Sequence, residues 1–336
     1  MRLPPGKIPV DILKEVVFKN LGSQRKEVAV GPKAGIDSAV INLDNKSIIV
    51  SMDPITGALE RIGWLSVNVN ANDVATFGVE PIFLVSCVLL PEKADKKMIK
   101  IISEQMGSAA RQLGIAIIGG HCESTPNLQN PIVVGCAMGI TDKGKYVTAA
   151  GAKAGDKIIL TKSAGIEGTA ILASDRKIEL EKQMKKSDLK KANDFYKMIS
   201  VVKDATTAYK TGGVHAMHDP TEGGVAGGIH EMADAANLGF KINRAKITVK
   251  KETAQISTYF KIDPIQLIGS GALLISAESE KANEIIENLN KIKIQSAIIG
   301  QFTQDIGRRV IEDENGKIQD LQKPKSDHLW KALSGK

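Results

Sequence analysis

Residues 218–228 read His-Asp-Pro-Thr-Glu-Gly-Gly-Val-Ala-Gly-Gly and run directly into the amphipathic stretch Ile-His-Glu-Met-Ala-Asp-Ala-Ala. This pattern predicts a helix that starts at Pro220, where a missing N–H costs nothing, with Asp219 at the N-cap. A glycine inside a helix costs about 1 kcal/mol against alanine, so helix stability does not explain Gly223, Gly224, Gly227 and Gly228. Close approach of another group to this backbone is the expectation, and the bare amides of a helix N-terminus suit a phosphate or another anion. The same residues also fit a capping box, Asp219-x-x-Glu222, or tight packing of a helix on a sheet. The motif alone leaves these open.

A chain of 336 residues, 43% hydrophobic and 25% charged, predicts a soluble globular protein of two domains. No apolar run approaches the roughly 20 residues of a membrane helix, so no membrane partner is expected. The start MRLPPGKIPVDILKEV lacks the layout of a signal peptide, and Cys87, Cys122 and Cys136 show no paired spacing. Both point to the cytoplasm. The net charge of +7 is spread over helix-like faces. Its densest run, KQMKKSDLKK (182–191), has no aromatic interleaving and reads as a solvated surface rather than a nucleic-acid site. A basic balance also suits anionic nucleotides.

Along the chain, helical spacing covers 10–20, and two β-rich runs, 38–43 and 47–52, flank the turn signal Asp44-Asn45. A helix is expected over 59–77 with Gly78 as its C-cap, then a strand (82–90), a helix (94–113), a buried strand (115–118) and a strand (132–140). Thr141 to Asp156 is turn-rich and marks the boundary between domains 1–150 and 151–336. Beyond it come a strand (157–160), a glycine turn (163–168) with a helix after it, a long polar helical region (178–209) and a strand (213–217) that enters the opening motif. A strand (271–276), a helix (280–291) and a strand (296–302) complete the second half. Two α+β domains with similar element order are expected.

Asp37, Asp53 and Asp73 each sit beside a junction between a regular element and a turn, Asp73 next to Asn72 in the small-residue segment ANDVATFG. Converging carboxylates attract hard cations such as Mg2+, although Asp37 and Asp53 also read as turn caps. Gly119-Gly120 follows the 115–118 strand and suits a tight turn with close ligand approach. His121, Cys122 and Glu123 are too close in sequence to share one metal, since neighbours on an extended chain face opposite ways. His215 and His218 read as structural, with His218 a secondary site candidate.

In order, the segments GIDSAVI (35–41), SMDPITG (51–57), ANDVATFGVEP (71–81), IIGGHCE (117–123), GDKIILTKSAGIEGTAILA (155–173), HDPTEGGV (218–225) and IDPIQLIGSGALLI (262–275) resemble the aminoimidazole ribonucleotide (AIR) synthase-related superfamily. Within it they are similar to the hydrogenase maturation factor HypE. The resemblance spans nearly the whole chain and implies two α+β domains, a homodimer joined through the N-terminal sheets, and ATP with Mg2+ in a cleft between domains. It implies metal binding by Asp37, Asp53 and Asp73, and nucleotide or phosphate binding by Asn72, Gly119, Gly120, His121, Asp219, Thr221, Gly223 and Gly224. The implied chemistry is ATP-dependent activation of an amide-like oxygen of a small substrate. The alternatives are a small-molecule kinase similar to thiamine monophosphate kinase, or a non-catalytic nucleotide-binding regulator. Ile36 and His121 stand where acids are usual, Glu222 where an arginine is usual, and the last cysteine in the sequence is Cys136. Maturation chemistry on a tail cysteine is therefore not expected, and no residue stands out as a general base.

Overall fold

A computed structural model describes residues 6, 8–33, 35–57 and 59–334. The expected domain limits at residues 1 and 336 lie outside the described residues. A short helical turn, Val10–Ile12, continues as a π-helical turn over Leu13–Val17 and replaces the longer helix expected there. The first sheet follows, made of β1 (Val28–Val30), β2 (Ala39–Leu43), β3 (Lys46–Ile55), β4 (Pro81–Pro91), β5 (Ala116–Thr125) and β6 (Ile132–Asp142). Its spatial order is β1-β2-β3-β6-β4-β5, with β4 and β5 parallel and the other pairs antiparallel.

Two helices, Ile62–Ala75 and Lys96–Leu113, pack on one face of this sheet and on each other. The first is buried along almost its whole length, between the sheet and the second half of the chain. In that position it has no solvent stripe, and its polar residues Asn68, Asn70, Asn72 and Asp73 are buried as well. On the opposite sheet face, which carries no helix among the described residues, Met52, Ile140 and Ile118 stand exposed, Met52 at 63% and Ile118 at 56%.

β5 differs from expectation. It is an exposed outer strand of ten residues, and Gly119-Gly120 lie inside it rather than in a turn after a buried strand. Gly120 has φ +154°, and a Cβ there would fall 2.1 Å from the Ser86 carbonyl oxygen of the neighbouring strand. Strand packing therefore requires this glycine.

The second sheet comprises β7 (Lys157–Thr161), β8 (Val214–His218), β9 (Gly239–Asn243), β10 (Leu274–Ala277), β11 (Ser296–Thr303), β12 (Arg309–Glu312) and β13 (Ile318–Asp320). Their order is β13-β12-β9-β11-β7-β10-β8. The polar region over 178–209 is broken into the helices Lys177–Leu180, Lys186–Asn193 and Val202–Thr211 with a 3-10 turn, Asp194–Met198, between the last two. One buried cluster joins the two halves: Ile49, Val67 and Leu84 pack in the same core as Val201, Leu273 and Ile285.

Candidate active site at the junction of the two halves

The helix of the opening motif starts later than its sequence suggests. It runs Gly224–Ala236, and its N-cap is Gly223, not Asp219. Asp219 and Pro220 instead belong to the segment leaving β8. Gly223 and Gly224 both hold positive φ, +78° and +58°, which side chains rarely adopt. A Cβ on Gly224 would lie 2.5 Å from the Leu267 carbonyl oxygen and 2.8 Å from that of Ile265. The group that approaches this backbone so closely is the protein itself. An anion does sit at the helix start: the buried Asp327 carboxylate accepts the Gly223 N–H at 2.6 Å and the Leu329 N–H at 2.7 Å. Nearby, Glu167 has its pKa raised to about 7 by burial, with Asp327 and Glu222 adding repulsion against a Ser270 hydrogen bond.

The carboxylates expected to hold metal come together. Asp53 lies near the end of β3, where Asn70 grips its backbone: Asn70 Oδ1 accepts the Asp53 N–H at 2.7 Å, and Nδ2 donates to the Asp53 carbonyl at 3.2 Å. Asp73 projects from the buried helix and accepts the Ser51 hydroxyl at 2.7 Å. Ser51 Oγ also lies 3.1 Å from the Asp37 carbonyl oxygen, tying the Asp37 segment to the same place. Burial pushes the Asp73 carboxyl well above the usual carboxylate range, and the charges of Asp219, Asp53 and Asp37 push it further. Asp219, from the second half, is 1% exposed. Asp37, His218 and Asp219 each offer a ligand atom within 4.8 Å of the others.

His218 binds this group together. Its Nδ1 lies 3.0 Å from Asp37 Oδ2 and its Nε2 2.8 Å from Glu231 Oε2, with the ring buried. Burial opposes the imidazolium charge, but Asp37 and Glu231 more than offset it and raise the pKa well above the ordinary histidine value. The pairing crosses the two halves. The packing of Gly35 against Glu231 and Ala235 crosses them as well.

Asn72 is fully buried, and its amide meets main chain of the second half: Nδ2 donates to the Ile199 carbonyl at 2.9 Å and Oδ1 accepts the Val201 N–H at 2.8 Å. Thr221 lies in the turn before the helix, where its carbonyl accepts the Gly224 N–H. Gly119, Gly120 and His121 do not join the acids within one chain. β6 and β4 separate β5 from the Asp53 strand, three strand spacings or about 14 Å away. On β5, His121 pairs with Glu123 at 3.0 Å on the exposed edge.

Sequence reading passed over Asn70, Ser51, Glu231 and Asp327. Only Asp327 left a local signal, an Asp just ahead of the apolar helical stretch His328–Ser334, which is an N-cap pattern.

The chain, with its two α+β domains, belongs to the AIR synthase-related proteins. Residues 35–141 match the AIR synthase related protein N-terminal domain, and residues 153–312 match its C-terminal domain. The chain is 28% identical, over 91% of its length and 94% of the relative's, to a putative hydrogenase expression/formation protein of Methanocaldococcus jannaschii. It is 24% identical to the carbamoyl dehydratase HypE of Rhizobium leguminosarum bv. viciae, over 81% of this chain and 78% of that one. A crystal structure of the hydrogenase maturation protein HypE in complex with ATP superposes with a TM-score of 0.74 at 19% identity, covering 97% of this chain and 98% of that one. The expected fold is the observed one.

Proposed function

We propose that this chain binds ATP with Mg2+ at the junction of its domains, 1–150 and 151–336, and uses it to activate an amide-like oxygen of a small substrate in the cytoplasm. The observation that carries the reading is the gathering of Asp37, Asp53 and Asp219, from both halves of the chain, around the Asp73 carboxyl; of these, Asp37 and Asp219 offer ligand atoms within 4.8 Å of each other, with His218 beside them. The donors of the four acids are all carboxylate oxygens, the set a hard divalent cation prefers, and Mg2+ commonly shares such ligands with substrate phosphates. The residues fit the ion. Asp37, Asp53 and Asp73 would hold it, and once bound it would supply neutralisation of phosphate charge.

The chain's own groups then have defined tasks. Asn70 fixes the backbone of Asp53, Ser51 orients Asp73, and imidazolium His218 orients Asp37 while holding the two halves in contact. An amide oxygen is a poor leaving group until phosphorylated, so such a site needs positioning and charge neutralisation more than a strong base. HypE relatives that are named carbamoyl dehydratases, and one solved with ATP, support this reading.

Gly119, Gly120 and His121 remain nucleotide-site candidates only through a second copy. Pairing of the uncovered faces of two N-terminal sheets into a homodimer would bury Met52 and Ile118 and set one chain's β5 beside its partner. Titration calorimetry with Mg-ATP tests the site. Asp53→Ala and Asp73→Ala are expected to weaken binding at least about tenfold, a loss of about 1.4 kcal/mol or more. Unchanged affinity in both variants would overturn the assignment.

A further inference from the structure

We infer that Asn72 is a positioning residue that locks the two domains in register, rather than a group that touches the nucleotide. Three successive carbonyls leave the loop between the 3-10 turn Asp194–Met198 and the helix Val202–Thr211, and they are divided between two opposed side chains. Asn72, from the first half, takes the Ile199 carbonyl and also accepts the Val201 N–H. Lys162, from the second, donates to the Ser200 carbonyl at 2.7 Å and reaches the Met198 carbonyl at 3.3 Å. The same ammonium donates to the Gly271 carbonyl at 2.8 Å and pairs with Asp204 at 3.1 Å.

Lys162 holds φ +55°, a conformation that side chains tolerate only when the surroundings impose it. Lys162 thus ties the loop to Gly271 and Asp204 of its own half, and Asn72 is the peg of the first half set into it. With no exposed surface and both polar atoms engaged, the Asn72 amide is closed to any ligand.

The peg matters because of its neighbour. Asp73 follows directly on the helix and faces Asp219 of the second half, with Asp37 and Asp53 close by. Beyond the Asp37–His218 pair, repulsion between the Asp53, Asp73 and Asp219 carboxylates works against contact between the halves. A neutral amide bonded to main chain opposes that push without adding charge to the cluster. It also fixes the rotation of the helix that aims Asp73.

This role rests on the reading of the acids as a Mg-ATP site, and its test separates the two. Lys162→Met touches no acid of the cluster but releases the far side of the loop. If Asn72 positions, Asn72→Ala and Lys162→Met raise the Kd for Mg-ATP by similar factors, and the double variant is no weaker than the weaker single one. Both also speed hydrogen exchange at the Val201 amide at least about tenfold in nucleotide-free protein. Asn72→Asp keeps an acceptor for the Val201 N–H and loses the donor to Ile199, and it substitutes in the same measurements where the alanine variant fails to fold. The inference is overturned if Asn72→Ala weakens Mg-ATP while Lys162→Met leaves affinity unchanged and Val201 exchange stays slow in the alanine variant, as a direct ligand requires. A parent chain that binds no Mg-ATP would sink the proposed function, and Val201 exchange would still decide the peg.

Discussion

The imidazole of His218 lies 3.0 Å from the carboxylate of Asp37, and this buried pair links a loop of the first half to the end of a strand in the second. Glu231 flanks the ring on its other nitrogen, so one cation serves two carboxylates. Removing the cation is therefore expected to cost more than removing either acid. His218→Ala should lower the unfolding free energy by about 3 kcal/mol, the cost of leaving mostly buried charges without their partner. Urea denaturation of His218→Ala, Asp37→Asn and the double variant measures it. A coupling under about 0.5 kcal/mol would mean that the pair does not act as a unit.

Glycine at the start of the motif helix is required by space and backbone angle together. Gly224→Ala should cost at least about 3 kcal/mol, because αL strain of 1–2 kcal/mol adds to a Cβ jammed between two carbonyl oxygens. Gly114→Ala is the control. It has φ +71° with nothing within 4 Å of the new Cβ, and should cost only about 1–2 kcal/mol. Thermal melts of the two variants should separate clearly.

Glu167 makes stability depend on pH. Its pKa is about 7 in the fold against 4.5 for an ordinary glutamate, so the folded state holds the proton more tightly than the unfolded chain. Below pH 4.5 both states are protonated and the group costs nothing. As pH rises from 4.5 to 7 the folded state is progressively penalised, and above 7 the penalty is constant at up to about 3 kcal/mol. Glu167→Gln should accordingly stabilise the protein at pH 8 and change little at pH 4.5, measured by urea midpoints at the two pH values.

Asp327 supplies the anion at the motif helix. Asp327→Ala strips two backbone N–H groups, Gly223 and Leu329, of a buried carboxylate acceptor. It should destabilise by about 2–3 kcal/mol, and Asp327→Asn, which keeps an acceptor oxygen, by less. Equal losses in denaturant melts would show that a neutral acceptor oxygen contributes nothing there and that the carboxylate charge carries the interaction.

The uncovered sheet face should associate. Met52→Asp and Ile118→Lys, at exposed positions, should leave the fold intact by circular dichroism and shift the protein to monomer in sedimentation velocity. A parent chain that already sediments as a monomer would refute the dimer.

Much of this architecture was legible along the chain, because strands and helices leave local signatures. β3, β4, the Lys96–Leu113 helix with Asp95 as its side-chain cap, and β11 lie close to their expected places. Asp37 lies just ahead of β2, as expected, whereas Asp53 falls inside β3 and Asp73 inside the Ile62–Ala75 helix rather than at junctions. The helix start at 218–228 was misplaced by four residues for a physical reason. Proline and an Asx residue signal a helix only when the following residues are free to adopt αR, and here Gly223 and Gly224 hold positive φ, with Gly224 packed against the main chain of Ile265 and Leu267.

Partner choice belongs to the tertiary structure. Nothing near position 218 announces that its imidazole will meet Asp37, and nothing near position 72 announces Ile199 and Val201. The anion at Gly223 comes from Asp327, more than one hundred residues later. Local sequence carries periodicity, turn chemistry and the supply of carboxylates, because each depends on a few neighbouring residues. Which carboxylates face one another, which is neutralised by a buried cation and which caps a helix depend on packing between segments distant in the chain, and only the folded arrangement of the two sheets settles that.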